Sequence, residues 1–412
     1  MSDVTAIADV LAGRSRWGVS VGDALVSLRA MPEASVQCVV TSPPYWALRD
    51  YGVSGQLGLE PTPEKYIERM VGVFREVRRV LRPDGTLWLN IGDTYANDQP
   101  SRNDPGPRLE GRANVKVPGK SWRNGDLKKK DLIGIPWMLA FALRADGWYL
   151  RSECIWFKSN VMPESVSDRP VRSHEQMFLF TKSPRYFYDA EATRVKQATA
   201  ARSKMQTGDE PSGRYPKKYG MLGGHAKRGR SPERLLNPDG GLKRSVWKIS
   251  VARFKGAHFA TFPAKLVEPC IMAGTSAAGC CPACGSPYWR VVKKVRKPTR
   301  PGEDTKVKVP TGWDTAPGGH GREKRRSAVE TGNRDPQRHV TTTETVGWQP
   351  GCECNAGDPV GCVVLDPFAG SGTTLAVAVE HNRRAVGLEL NPQYAGLIHE
   401  RMKGVQPVLP GC

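Results

Sequence analysis

Residues 363–389 constrain the fold more than any other stretch of this 412-residue chain. Val363-Val364-Leu365 is a short apolar run that reads as a buried strand. Asp366-Pro367-Phe368-Ala369-Gly370-Ser371-Gly372-Thr373-Thr374 follows as a glycine turn, 375–381 as a helix, and 385–388 as a second strand ending at Glu389. A strand, glycine turn, helix and strand with a terminal acid is the grammar of a nucleoside-cofactor site. Gly370 and Gly372 let the backbone approach a ligand closely, and the helix N-terminus offers free N–H groups to an anion. Glu389 is placed to accept hydrogen bonds from ribose hydroxyls. A triphosphate-binding loop needs Lys ahead of its Thr. Gly372 stands there instead, which argues against ATP.

A second stretch, Thr41-Ser42-Pro43-Pro44-Tyr45-Trp46, follows an apolar run at 36–40 that also reads as a buried strand. Neither proline can donate to a ladder, so the strand stops there. A rigid turn remains at its C-terminal end, the edge where open α/β sheets bind ligands. It carries a hydroxyl, proline carbonyls and an aromatic ring. A planar base could stack on Tyr45 while its amino group donates to Ser42 and the Pro43 carbonyl.

The two motifs together resemble the DNA amino-methyltransferases that use S-adenosylmethionine. The proline motif precedes the glycine motif, similar to the β-group order of that family. The resemblance implies a Rossmann-like α/β fold, a mostly parallel twisted sheet with helices on both faces and a circularly permuted chain order. It places Ser42, Pro43, Pro44 and Tyr45 at the catalytic centre. Asp23, Phe259, Asp366, Phe368, Ala369, Gly370, Gly372, Thr373 and Glu389 would lie around the cofactor. Asp23 would face adenine, although it serves equally as the N-cap of the next helix. Ser42, rather than Asp or Asn, is similar to the cytosine-N4 form of the family, with adenine-N6 as the alternative. The implied partner is double-stranded DNA. A companion restriction endonuclease and a bacterial or phage-encoded, cytoplasmic setting belong to the same expectation.

The formal net charge is +20 and is concentrated in two windows. Residues 191–258 carry 16 Lys and Arg against 5 Asp and Glu, and residues 286–340 carry 14 against 6. These basic, Gly- and Pro-rich segments point to a polyanion partner, or to solvated loops. The resemblance implies a division into a catalytic half at 1–190 and a basic target-recognition region at 191–250. The cofactor half is 251–279 with 362–412, and a zinc-ribbon-like basic insertion fills 280–361. No apolar run approaches 18 residues, so no membrane span is expected. The N-terminus lacks the basic start of a secretory signal.

Ten cysteines are present. Cys281-Pro-Ala-Cys284-Gly has the form of a zinc knuckle, and Cys352-Glu-Cys354 supplies two more thiolates. Four thiolates satisfy tetrahedral Zn2+. Cys280 and Cys362 are spare thiols that could substitute, and a redox pair or plain reduced thiols are the alternatives. The recognition region and the zinc insertion are expected at the DNA-facing edge.

Elsewhere, apolar residues at helical spacing mark a helix at 63–81, followed by a turn at Pro83-Asp84-Gly85 and a strand at 86–91. Asn90, Gly92 and Asp93 fall on the ligand edge. Residues 95–130 read as a loop that could close over DNA. Helix 132–144, strand 148–158 and strand 176–181 follow. The run at 160–175, with Asp168-Arg169-Pro170 and Ser173-His174-Glu175, is similar to the family's catalytic half beyond the proline motif, and its polar residues could shape the pocket for the extruded base. His174 can be read as a general base, but more often such a residue is structural. Two other classes compete with the methyltransferase: a non-catalytic zinc protein that binds DNA, and an RNA or protein-amide methyltransferase. The intact 366–374 motif opposes the first, and the basic windows with Ser42 oppose the second.

Overall fold

The computed structural model describes residues 3–96, 127–161, 164–195, 240–251, 262–298 and 339–407. Phe259, most of both basic windows and most of the 95–130 loop lie outside the described residues. The chain divides into two compact units, one of residues 1–193, 242–291 and 347–412, the other of 194–241 and 292–346. In the second unit, Val195 and Gly241 form an antiparallel bridge, and the Thr342 hydroxyl donates to the Val295 carbonyl.

Helices in chain order are α1 (Asp3–Leu11), α2 (Ala24–Ala30), α3 (Pro63–Val80), α4 (Ile135–Ala145), α5 (Ala264–Gly274), α6 (Thr373–Glu380) and α7 (Pro392–Lys403). The strands are β1 (Trp17–Val21), β2 (Val36–Thr41), β3 (Leu81–Ile91), β4 (Tyr149–Phe157), β5 (His174–Thr181), β6 (Val246–Lys248), β7 (Tyr288–Pro298), β8 (His339–Pro350), β9 (Val363–Asp366) and β10 (Arg384–Glu389). Eight strands form one sheet in the order β1-β10-β9-β2-β3-β5-β4-β6, while β7 and β8 form a separate two-stranded ribbon. β5 is antiparallel to its neighbours β3 and β4, and every other pair in the sheet is parallel. This is the mostly parallel α/β sheet expected from the sequence. Among the described residues no helix is long and apolar enough to cross a membrane.

Both faces of the sheet are buried, which explains why the central strands are apolar without a break. Side chains alternate between two cores. Val39, Leu87, Leu89, Phe178, Phe180, Val363 and Leu365 join Tyr66, Met70, Phe74 and Val77 of α3 and Leu139 and Leu143 of α4. Cys38, Val40, Trp88, Met177, Leu179 and Val364 join Leu266 and Ile271 of α5, Leu375 of α6 and Ile398 of α7.

Local chemistry sets the element ends. Thr62 accepts from the Lys65 N–H and Pro63 opens α3, the usual start signals of a helix. The Pro83-Asp84-Gly85 turn is absorbed into β3 as an irregularity. Pairing jumps from Val36↔Leu81 to Cys38↔Thr86, so β3 spends extra residues there. The helix α1, not foreseen from the sequence, rests directly on β1. A Cβ on Gly18 would come within 2.6 Å of the Ala6 carbonyl oxygen, so only glycine fits beneath it. Arg384 caps the other end of α1, donating to the Val10 and Leu11 carbonyls at 2.9 and 3.0 Å.

Candidate active site

Strand direction alone brings the functional residues to one edge. β1, β10, β9, β2, β3 and β4 end there, and antiparallel β5 begins there, with Ile91 paired to Gln176 and Phe157 to His174. The edge therefore collects Asp23, Glu389, the loop after Asp366, Ser42, Asn90, Lys158 and Glu175.

The glycine loop is held from below. Asp366 is fully buried; its Oδ1 accepts the Thr41 hydroxyl at 2.7 Å and the Phe368 N–H at 3.1 Å, and its Oδ2 accepts the Thr374 hydroxyl at 2.7 Å. Burial raises its pKa to about 6. Asp366 thus ties the loop to β2 and to the first turn of α6. Gly370 (φ 53°) and Gly372 (φ 76°) take left-handed conformations. A Cβ on Gly372 would stand 3.1 Å from the Ile398 side chain. The Ala369 methyl would lie 3.0 Å from a Cβ on Gly387, so this residue seats the loop on β10. Thr373 accepts a hydrogen bond from Arg401 at 2.6 Å. Phe368 packs partly buried against the core.

Glu389 accepts the Gly370 and Asn391 N–H groups, both at 2.8 Å, and burial raises its pKa to about 7. Near it the Tyr51 and Tyr394 rings meet edge-on at 6.3 Å. Burial first, then the Glu389 charge among lesser influences, pushes both hydroxyls up. Asp23 N-caps α2, accepting from the Val26 N–H at 3.0 Å, and Val21 just before it pairs with Glu389. Two buried polar atoms, Arg49 Nη1 and Ser371 Oγ, have no hydrogen-bond partner among the described residues. Unsatisfied donors beside a glycine loop and an acid fit a polar, partly anionic ligand.

The proline turn is equally fixed. The Tyr66 hydroxyl donates to the Pro44 carbonyl at 2.9 Å, Ala47 N–H to Gly58 at 2.7 Å, and the buried Trp46 indole to the Glu60 carbonyl at 2.9 Å. Ser42 donates to the Tyr45 hydroxyl at 3.3 Å, and Tyr45 donates to Glu175 Oε2 at 2.8 Å. The Tyr45 ring lies against Gly92, where a Cβ would come within 2.6 Å of it. Asn90 Nδ2 donates to Glu175 at 3.2 Å and to the Gln176 carbonyl at 3.0 Å. Lys158 completes the group, ion-paired to Glu175 Oε1 with its ammonium 4.6 Å over the Trp156 ring.

From the sequence, Glu175 stands only among the polar residues of a run that could shape the base pocket, and Lys158 only at the end of a strand. Only the antiparallel pairing of β5 brings them beside Tyr45. Asp93 is structural, since its Oδ1 accepts the Gly134 and Ile135 N–H groups at 3.0 Å each and so caps α4. His174 stands at the start of β5, opposite Phe157. An open groove of about 770 Å3 between α3 and α4, lined by Glu64, Ile67, Arg75, Met138 and Asp146 among others, contains none of these strand-end residues.

A DNA methylase family model covering N6 and N4 amino-methyltransferases matches residues 36–280 and 355–400. The chain belongs to the N6/N4 DNA methylase family. Its relatives include the type II methyltransferase M.XycI of Xanthomonas campestris pv. cyanopsidis, 37% identical over 93% of this chain and 86% of that one. The type II methyltransferase M.Cfr9I of Citrobacter freundii is 36% identical over 93% of this chain and 86% of its own length. A solved structure of PvuII DNA methyltransferase (cytosine-N4-specific) covers 94% of this chain and 86% of that one, at 16% identity and a TM-score of 0.48. Members of the family take their methyl group from S-adenosylmethionine.

The methylase also carries a thiol cluster. The sulfurs of Cys281, Cys284, Cys352 and Cys354 all lie within 4.8 Å of one another. A tetrahedral zinc with bonds of about 2.3 Å places its sulfurs about 3.8 Å apart, so the four thiols fit such an ion. The Cys284 and Ala283 N–H groups and the neighbouring thiols lower the Cys281 thiol to about 7, while the hydrogen bonds that Cys354 donates to the Cys284 and Cys352 sulfurs raise it to about 12. Cys280 and Cys362 pair with each other elsewhere and take no part in it.

The expectation that the zinc insertion sits at the DNA-facing edge is corrected for its thiol base. Gln37, at the start of β2, donates to the Gly285 carbonyl at 3.0 Å, and Arg82, at the start of β3, donates to the Cys284 carbonyl. The cluster therefore adjoins the opposite edge of the sheet from Ser42. The root of the ribbon is tied down by the Arg290–Asp189 ion pair at 2.7 Å, with the Arg290 guanidinium 4.4 Å over the Trp348 ring.

Proposed function

We propose that this methylase transfers a methyl group to the exocyclic N4 of cytosine in double-stranded DNA. The observation that carries the reading is Ser42 at the end of β2, whose proton is directed away to Tyr45. The Pro43 carbonyl beside it has no donor among the described residues. Both oxygens can accept N–H groups from a base.

The exocyclic amine is a poor nucleophile because its lone pair is conjugated into the ring. Accepting its two N–H bonds at Ser42 Oγ and the Pro43 carbonyl localises that lone pair and aims it. Positioning and preorganised acceptors then supply much of the rate. Tyr66 and Trp46 hold the turn rigid from beneath. The base has to leave the duplex to reach these groups, and Tyr45 lines the place it enters. S-adenosylmethionine, when bound, supplies an electrophilic methyl. Glu389, the 368–373 loop, Ser371, Arg49 and Asp23 would hold it, with Asp366 keeping the loop in shape. Structural Zn2+ would be held by Cys281, Cys284, Cys352 and Cys354. Residues 191–250 would read the target, 1–190 would form the catalytic half, and 251–279 with 362–412 the cofactor half. Action in a bacterial cytoplasm, alongside a restriction endonuclease, completes the reading.

Ser42→Ala is the direct test. Methyl transfer to DNA falls by about 10²-fold or more, while S-adenosylmethionine affinity measured by calorimetry stays within about twofold, since the hydroxyl faces the base. Equal loss of transfer and cofactor binding would overturn the role given to Ser42.

A further inference from the structure

We propose that Glu175 is a positioning residue which, through the Tyr45 hydroxyl, fixes the direction of the Ser42 hydrogen bond, so that Ser42 presents only lone pairs to the amine of the target base. The proposal rests on the assignment of Ser42 above and adds to it a residue outside both motifs.

An ionised carboxylate can only accept. Lys158, held against Trp156, is ion-paired to Oε1 and leaves Oε2 to accept from other donors. Glu175 Oε2 is 2.8 Å from the Tyr45 hydroxyl, whereas the competing acceptor Asn90 Oδ1 is 3.2 Å away. The shorter, charge-assisted bond takes the single phenol proton. The Asn90 amide is itself oriented, because its NH2 group donates to Glu175 and to the Gln176 carbonyl. Burial and the Glu175 charge push the Tyr45 hydroxyl well up, so it remains a donor. With its proton committed, the Tyr45 oxygen accepts from Ser42 at 3.3 Å. Ser42 then has no proton left to give the base, and its lone pairs face the amine. Reversing the chain would make Ser42 donate to the amine nitrogen and tie up the electron pair that attacks the methyl.

Glu175→Gln introduces an NH2 group able to donate to Tyr45 and reverse the chain. It lowers single-turnover methyl transfer by about 10²-fold, with S-adenosylmethionine affinity and melting temperature close to wild type. Glu175→Asp, which keeps an acceptor-only group, restores part of the rate. The decisive readout is a double-mutant cycle. In the Tyr45→Phe background the connection is already cut, so adding Glu175→Gln causes less than about threefold further loss. A purely structural Glu175 costs the same in both backgrounds, and that result overturns the proposal. Ser42→Ala, run alongside, separates the two ideas. If Ser42→Ala transfers methyl groups at the wild-type rate, the site assignment fails. If Ser42→Ala is impaired and Glu175→Gln is not, only the relay fails.

Discussion

Glu389 shows what a single residue contributes at this edge. Its folded pKa of about 7 lies above the ordinary 4.5, chiefly because burial disfavours the charge. Asp366 is raised in the same way, from 3.8 to about 6. For an acid raised on folding, stability is highest below the unfolded pKa and is lost as pH climbs to the folded one. The cost builds from about pH 4 and is complete above 7, reaching about 3 kcal/mol for each group. Glu389→Gln should therefore melt at a higher temperature than the wild-type apoprotein at pH 8 and gain nothing at pH 4. Ligand hydroxyls donating to Glu389 favour its charged form. Wild-type affinity for S-adenosylmethionine should then rise between pH 6 and 8 more steeply than that of Glu389→Gln. Calorimetry across that range checks it, and parallel slopes would remove Glu389 from the cofactor's contacts. The sequence displayed Glu389 because it ends a strand after a glycine turn. It offered Glu175 only as one polar residue of a run near the pocket, because its place beside Tyr45 depends on β5 reversing direction beside β3.

Among the elements, α1 and the bounds of the ribbon strands β7 and β8 escaped the sequence reading, which expected a ribbon at 280–361 without its strands, and the reasons differ. The α1 segment is short, and the clue to it lies outside it, in Gly18 within a strand. Gly18→Ala should push α1 off β1, costing about 1–3 kcal/mol by overpacking and lowering the melting temperature. An unchanged melt would mean that α1 contributes little to stability. β7 carries a run of Arg and Lys while β8 is rich in Thr, and their pairing spans the 299–338 insertion, so no short-range turn announces it. The central strands were legible for the opposite reason. Burial on both faces writes them as unbroken apolar runs, and the prolines at 43 and 44 and the glycines at 370 and 372 mark where they stop.

Across the whole molecule, the proposed active site and the thiol cluster adjoin opposite edges of one sheet. The cluster is joined to that sheet through Gln37 and Arg82, at the starts of β2 and β3. Zinc removal by a chelator should therefore lower the melting temperature, while the remaining folded enzyme transfers methyl groups within about twofold of its former rate at low temperature. Loss of catalysis without loss of stability would place the metal in the reaction. The motifs announced the cofactor edge and the thiol set; the sequence could not show that the two stand apart, because that follows from which end of each strand they attach to. Purified protein incubated with S-adenosylmethionine and unmethylated DNA of varied sequence, digested to nucleosides and read by mass spectrometry, should yield N4-methylcytosine. N6-methyladenine in its place would contradict the assignment of the base and show that Ser42 does not select it.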